Sequence, residues 1–230
     1  MNNVTDILIE LYRIMGSLIC HQLPSRTIYI NNMPLPLCAR DTGIYFGFFA
    51  SLVYVYISKR NKADLPPDIK NTIILCILML FMIIDGGTSY LKIRETNNLL
   101  RYFSGAFFGL SLPFFLIPVA NYNPAITNTN KSLKSTWEII FLIIVNLIIG
   151  FLVLKTNFLP WFLIATITIG SLIYVICRIV FTIVKQTALK NCNKAFLTAG
   201  GTIGILLIMF CLSNFVLQPL KTLLLDGIRR

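Results

Sequence analysis

The chain has 230 residues, 56% of them apolar and 13% charged, with a net charge of +11 and a mean hydropathy of +0.77. That charge content excludes an ordinary soluble domain, in which roughly a quarter of residues are charged. The basic surplus is scattered over loops between apolar runs, with no basic stripe, zinc-finger spacing or RNP-like motif, so it excludes a nucleic-acid binder and fits anchoring to anionic lipid headgroups.

Residues 4–19 come first. Val4, Ile7, Leu8, Leu11, Ile14 and Leu18 fall on one helical face, and Asp6, Glu10, Arg13 and Ser17 on the other. This is the pattern of an amphipathic helix lying in the membrane interface. Asp6 and Glu10 stand where a signal peptide has its basic region, and no small-residue cleavage site follows, so no cleaved leader is expected. Three charges in sixteen residues also make this a poor span.

Uncharged stretches then recur at 42–58, 71–84, 102–130, 139–154, 156–177 and 195–220. A helix crosses hydrocarbon in about 20 residues. The pattern predicts an all-α, polytopic integral membrane protein of a cell membrane, with six transmembrane helices after the amphipathic one, and a single membrane domain over 1–230. Pro113 and Pro118 are expected to bend the third span. Gly43/Gly47, Gly105/Gly109 and Gly200/Gly204 are spaced for close helix contact. Cys76, Cys177 and Cys211 read as small buried residues, Cys192 falls in a loop, and Arg178 is placed to snorkel toward the headgroups. The alternate loops carrying Lys59, Arg60, Lys62, Lys70, Lys131, Lys134, Lys185, Lys190 and Lys194 share one face. With the motif residues set aside, the positive-inside rule puts that face in the cytoplasm; with every charge counted the bias nearly vanishes, and orientation stays open.

Two polar segments, 20–41 and 85–101, interrupt the apolar pattern. The first leads into span one, and span two returns the chain at Asp85, so both lie on one membrane face whatever the orientation. They bring Arg26, Arg40, Arg94 and Arg101 to that face, with Gln22 and Asn97 as amides. Converging guanidinium forks form an anion site, and these six residues are the ligand-binding candidates. Ionisable groups this close to hydrocarbon pair with one another, so Arg40 or Arg94 is expected against Asp85 or Asp41. If 93–101 is helical, Arg94 and Arg101 share a face. Gly86 and Gly87 either let the backbone approach a ligand or stop the helix.

His21 is the only histidine and the proton-transfer candidate, because imidazole titrates near neutral pH. Cys20 is a candidate nucleophile if neighbouring arginines depress its pKa. Asp85 or Asp41 is expected to orient His21 or balance an arginine. Cys20 and Cys38 admit two readings. One is a disulfide, favoured if this face is extracytoplasmic. The other is a metal set with His21, completed by Asp41 or Asp85, although the spacing matches no common finger pattern. The sequence names no cofactor and no protein partner.

Cys20, His21, Gln22 and Arg26, then Pro36, Cys38, Ala39, Arg40, Gly43, Tyr45 and Gly47, then Asp85, Gly86, Arg94, Asn97 and Arg101 together resemble the motif set of an uncharacterised family of small prokaryotic membrane proteins, the domain of unknown function 2085. The likeness covers roughly residues 15–115. It implies a multi-span protein with a shared motif set and no particular activity. The reading that composition and spacing favour is a Cys/His/Arg/Asp site at one membrane face that binds or processes an anionic ligand such as a phosphorylated lipid headgroup, with membrane lipid as partner. The alternatives are a small transporter, and a non-catalytic structural subunit with a disulfide-braced or metal-bound cap. Uncharged span centres and the absence of an inverted repeat argue against the transporter.

Overall fold

Long apolar runs satisfy their backbone polar groups in hydrocarbon only as helices, and helices make up most of the computed structural model, which describes residues 3–91, 93–123, 127–155, 159–186, 193–213 and 215. In chain order the elements are α1 (Asn3–Ser17), β1 (Thr27–Ile30), β2 (Met33–Cys38), α2 (Ala39–Ile57), α3 (Ile69–Tyr90), α4 (Asn98–Asn121), α5 (Thr136–Lys155), α6 (Trp161–Gln186) and α7 (Lys194–Leu212). Five of them, α3 to α7, are long and apolar enough to cross a membrane. The protein is all-α in class and multi-pass. The expected first span, α2, is 19 residues long and is not among those five, because Arg40 and Asp41 in its first turn dilute its apolarity.

The seam between α2 and α4 is the tightest helix contact. A Cβ on Gly43 or Gly47 would overlap the carbonyl oxygens of Tyr102 or Ala106, and one on Gly105 or Gly109 would overlap those of Arg40 or Ile44. The contacts advance by four residues on both helices together, so α2 and α4 run parallel with their backbones touching. Gly200 and Gly204 face open space instead. α4 is the central helix, with 61% of its span buried, whereas α3 and α7 have 11% and present most of their surface outward.

Pro113 and Pro118 lie inside an uninterrupted α4. Proline 118 removes the hydrogen bond that the Phe114 carbonyl would accept, and the Ser132 hydroxyl donates to that carbonyl at 2.9 Å instead. At the same end, Lys185 Nζ donates to Ala120 O at 2.8 Å and Arg178 to Asn121 Oδ1 at 3.4 Å. These cations cap the C-terminus of α4, where the helix dipole favours them, a use more specific than snorkelling. Loops 58–68 and 122–135 meet here: Asp64 N–H and Leu65 N–H both donate to Asn130 O at 3.0 Å, and Arg60 pairs with Glu138 through both guanidinium nitrogens.

Several expectations need correction. α3 runs six residues past the expected end at Ile84, straight through Gly86 and Gly87, so these glycines do not stop it. Residues 93–97 are not helical; α4 begins at Asn98, with Asn97 as N-cap accepting from Leu100 N–H at 2.8 Å. Arg94 therefore does not share a helical face with Arg101. Cys76 and Cys211 are exposed on outer faces, where lipid rather than protein would cover them. The third span ends at Asn121, nine residues short of its expected limit. The expected start of the fifth span at Thr156 and the end of the sixth, like Cys192 and Lys190, lie outside the described residues.

The segment before α2 holds a feature not expected from the sequence, an antiparallel hairpin of β1 and β2. Its turn is Asn31-Asn32, with φ of 49° and 64°, and asparagine tolerates the two positive angles of a tight primed hairpin turn. Trp161 Nε1 donates to Pro34 O at 2.9 Å, fastening the hairpin to α6. α1 lies beside it, held by Tyr12 Oη to Thr166 Oγ1 at 2.7 Å, and its apolar residues Val4, Ile7, Leu8, Leu11 and Ile14 face outward as an interfacial helix requires.

Gly109→Val should prevent α2 from seating on α4, since overpacking against a fixed backbone costs about 1–3 kcal/mol or more; loss of monodisperse detergent-solubilised protein is the expected readout, with Gly204→Val unaffected. Cysteines introduced at Lys62 and Thr127 should react with an impermeant maleimide from one side of the membrane, and those at Tyr29 and Glu95 from the other.

Candidate functional site

The site begins with Asp85, which lies within α3 and is 1% exposed. Its Oδ2 accepts from Arg40 Nη2 at 2.6 Å and from Ser104 Oγ at 3.1 Å, and its Oδ1 from Arg94 Nη2 at 2.9 Å. One carboxylate therefore joins α2, α3, α4 and the loop between α3 and α4. Charge-assisted bonds of this kind compensate the desolvation of a buried ion. The expected pairing is present with both arginines on Asp85, and it brings segments 20–41 and 85–101 to the same end of the molecule.

Beside this triad lies a cleft of about 660 Å³. Its polar wall carries His21, Gln22, Arg26, Arg40, Asp41 and Arg101, together with Cys20 and Cys38. Its apolar lining is Met82, Ile83, Gly86, Gly87 and Tyr90 of α3, with Ile19 and Ile44. Ile83 and Tyr90 are also exposed on the outer face of α3, so the apolar wall continues onto the surface that lipid would contact. A Cβ on Gly86 would meet the Arg40 guanidinium at 3.8 Å, an ordinary van der Waals contact, and one on Gly87 would meet nothing within 4 Å.

The expected site residues divide accordingly. His21, Cys20, Gln22, Arg26, Arg40 and Arg101 line the cleft, whereas Asp85 sits behind Arg40, and Arg94 and Asn97 are not in the lining. Asp85 balances two arginines, which makes it a positioning group. Arg94 reaches it from a half-exposed position. Gln22 has a φ of 48° and donates through Nε2 to Arg13 O at 2.8 Å and Pro36 O at 2.9 Å, pinning the turn after Cys20 between α1 and β2. Arg26 lies 5.5 Å over the Tyr90 ring, a cation–π contact. Arg101 donates to Asn98 Oδ1 at 3.1 Å and feels the like charges of Arg26 and Arg40. The Nε atoms of Arg40 and Arg101 are buried without a hydrogen-bond partner among the described residues.

Cys20 and Cys38 are free thiols, not a disulfide. Cys20 Sγ accepts from Cys38 N–H at 3.2 Å and Gln22 N–H at 3.5 Å, and Cys38 Sγ donates to Asp41 Oδ2 at 3.0 Å. The hydrogen bond with Cys20, burial and the charge of Asp41 hold the Cys38 thiol protonated, well above its ordinary value. Among the described residues, Cys20, Cys38 and Asp41 have ligand-type atoms within 4.8 Å of one another, and His21 is outside this group. Ser104 and Tyr90 were not expected at the site. A serine three residues after Arg101 in an apolar helix was the available signal for Ser104; Tyr90 became reachable only because α3 continues past its glycines.

Residues 20–115 match the family described as "Predicted membrane protein (DUF2085)". Uncharacterized protein MJ1492 of Methanocaldococcus jannaschii is 35% identical over 104 residues, covering 45% of this chain and 64% of that protein. An uncharacterized protein of Methanothermobacter thermautotrophicus is 34% identical over 96 residues, covering 41% of this chain and 80% of that protein. No solved structure matches the chain. The matched residues contain the hairpin, α2, α3 and most of α4, which are the elements that build the cleft.

Asp85→Ala should destabilise the protein by about 3–5 kcal/mol, because it strands the guanidinium of Arg40 in a buried position. Arg94→Ala should cost about 1 kcal/mol or less, since that side chain is half-exposed. Thermal unfolding in mild detergent would order the two variants.

Proposed function

Since this chain belongs to the DUF2085 family of predicted membrane proteins, and its matched residues build the cleft, we propose that the cleft binds the anionic headgroup of an amphipathic lipid at one membrane face. The observation that carries the reading is a cleft with two unlike linings. Arg26, Arg40 and Arg101 line it together with apolar residues of α3, of which Ile83 and Tyr90 are also exposed on the outer surface. A phosphate or carboxylate would lie against the guanidiniums, which present planar donor forks, and an acyl or isoprenoid chain would lie along Ile83 and Met82.

The local charge supports an anionic occupant. Arg40 and Arg94 share Asp85, and among the described residues neither Arg26 nor Arg101 has a carboxylate partner in an ion pair. The unpartnered Nε donors of Arg40 and Arg101 point to the same conclusion, because buried donors normally find an acceptor. His21, exposed and on the cleft lining, is the group suited to proton transfer if the lipid is processed as well as bound.

The test is mass spectrometry of lipids retained by gently purified protein, followed by back-titration with a phosphorylated lipid. A hydrogen bond to a charged group contributes about 1.5–3 kcal/mol, or about 10–100-fold in affinity. Arg26→Ala and Arg101→Ala should each weaken retention by about that factor, while Lys62→Ala at the opposite end leaves it unchanged. Arg40 is the poorer probe, because it also neutralises Asp85. Equal retention by the two cleft variants and the parent would sink the reading.

A further inference from the structure

We infer that Cys20, Cys38 and Asp41 form a binding site for a divalent transition metal, zinc by the chemistry of the donor set. Two sulfurs and a carboxylate oxygen lie within 4.8 Å of one another. Tetrahedral zinc binds thiolate at about 2.3 Å and carboxylate at about 2.0–2.2 Å, so its ligand atoms sit about 3.5 Å apart, and the three groups need only small rotamer changes to close on an ion. A mixed sulfur and oxygen set suits zinc better than the hard cations calcium or magnesium, which take oxygen alone.

The surroundings are built for sulfur ligands. Cys20 Sγ is the acceptor of two backbone N–H groups, from Cys38 at 3.2 Å and Gln22 at 3.5 Å. Such donors stabilise a metal-bound thiolate and orient it, the role that groups surrounding a metal's direct ligands ordinarily play. The turn supplying one of them is fixed by the Gln22 side chain, which bonds to Arg13 O and Pro36 O. Cys38 is the N-cap of α2 and Asp41 lies in its first turn, so a spacing of three residues brings both to one side of the helix start. The 3.0 Å bond from Cys38 Sγ to Asp41 Oδ2 shows that their ligand atoms already meet.

Charge does not oppose the site despite the arginines nearby. A divalent ion adds two positive charges, and the Cys20 and Cys38 thiols each release a proton to solvent on ligation, so the local total is unchanged. Three protein ligands leave the fourth tetrahedral position for water or an anion, and Cys20, Cys38 and Asp41 all line the cleft. The inference stands independently of the lipid reading, because it rests on the sulfur and carboxylate geometry rather than on the guanidiniums.

The test uses the full chain purified in mild detergent under reducing conditions, loaded with Zn2+ and, separately, Co2+. About one metal per chain should be retained after desalting, and the Co2+ form should show sulfur-to-cobalt charge transfer with tetrahedral ligand-field bands. Bound Zn2+ should protect Cys20 and Cys38 of the unaltered protein from alkylation relative to the metal-free protein, read by peptide mass spectrometry. Cys20→Ser, Cys38→Ser and Asp41→Ala should each weaken Zn2+ binding by about 100-fold or more. Unprotected Cys20 and Cys38 in the loaded parent protein would overturn the site, as would a Co2+ spectrum without sulfur charge transfer. A Cys20–Cys38 disulfide persisting under reduction would do the same. Loss of lipid retention with metal binding intact would defeat only the lipid reading, and the converse only the metal site.

Discussion

Asp85 is buried in α3, where an unpaired carboxylate would be too costly to keep ionised. It is held by guanidiniums from α2 and from the loop before α4, and by a hydroxyl on α4 itself. The parallel seam of α2 and α4 makes this arrangement possible, because glycines at the contact let Arg40 reach α3 from a backbone already touching α4. Helix contact and ion pairing depend on each other here. The seam sets where Arg40 stands, and the carboxylate keeps α3 and the following loop against the same end of the seam.

The cleft follows from that arrangement. Arg40 is shared between a structural role, toward Asp85, and a lining role, toward the cleft. Arg26 and Arg101 approach from the hairpin side and from α4, and α3 supplies the apolar wall. A cleft lined by guanidiniums and by apolar residues that reach the outer surface of α3 is the physical form expected of a site for a molecule with an ionic head and an apolar tail. The sulfur and carboxylate cluster occupies the same polar wall, a short distance along the chain from the arginines but chemically separate from them.

Much of this was readable because the membrane restricts the alternatives. Apolar runs near the length of the hydrocarbon must be helices, and the structure brings residues 20–41 and 85–101 together at one end of the molecule. The cost of an unpaired ion near hydrocarbon pointed to Arg40, Arg94 and Asp85 as partners. The errors have equally local causes. Gly86 and Gly87 resemble a stop signal, but the helix runs on through them to Tyr90. Asn97 looked like a ligand and is a helix cap. The hairpin is hidden in the sequence because Pro34 and Pro36 disguise β2, although Asn31-Asn32 carries the turn signal.

By itself the sequence determined the class of the protein and its amphipathic first helix, since both follow from local pattern; glycine spacing marked the seam of Gly43, Gly47, Gly105 and Gly109 but marked Gly200 and Gly204 equally, and these face open space. Only the tertiary structure decided which polar residues look into the cleft and which hold it together. It placed Arg94 and Asp85 behind the wall and left Arg26, Arg40 and Arg101 on it. It also grouped Asp41, rather than the adjacent His21, with the two cysteines. Side-chain direction at the start of α2 and in the turn at Gln22 sets that grouping, and proximity in sequence carries no information about it.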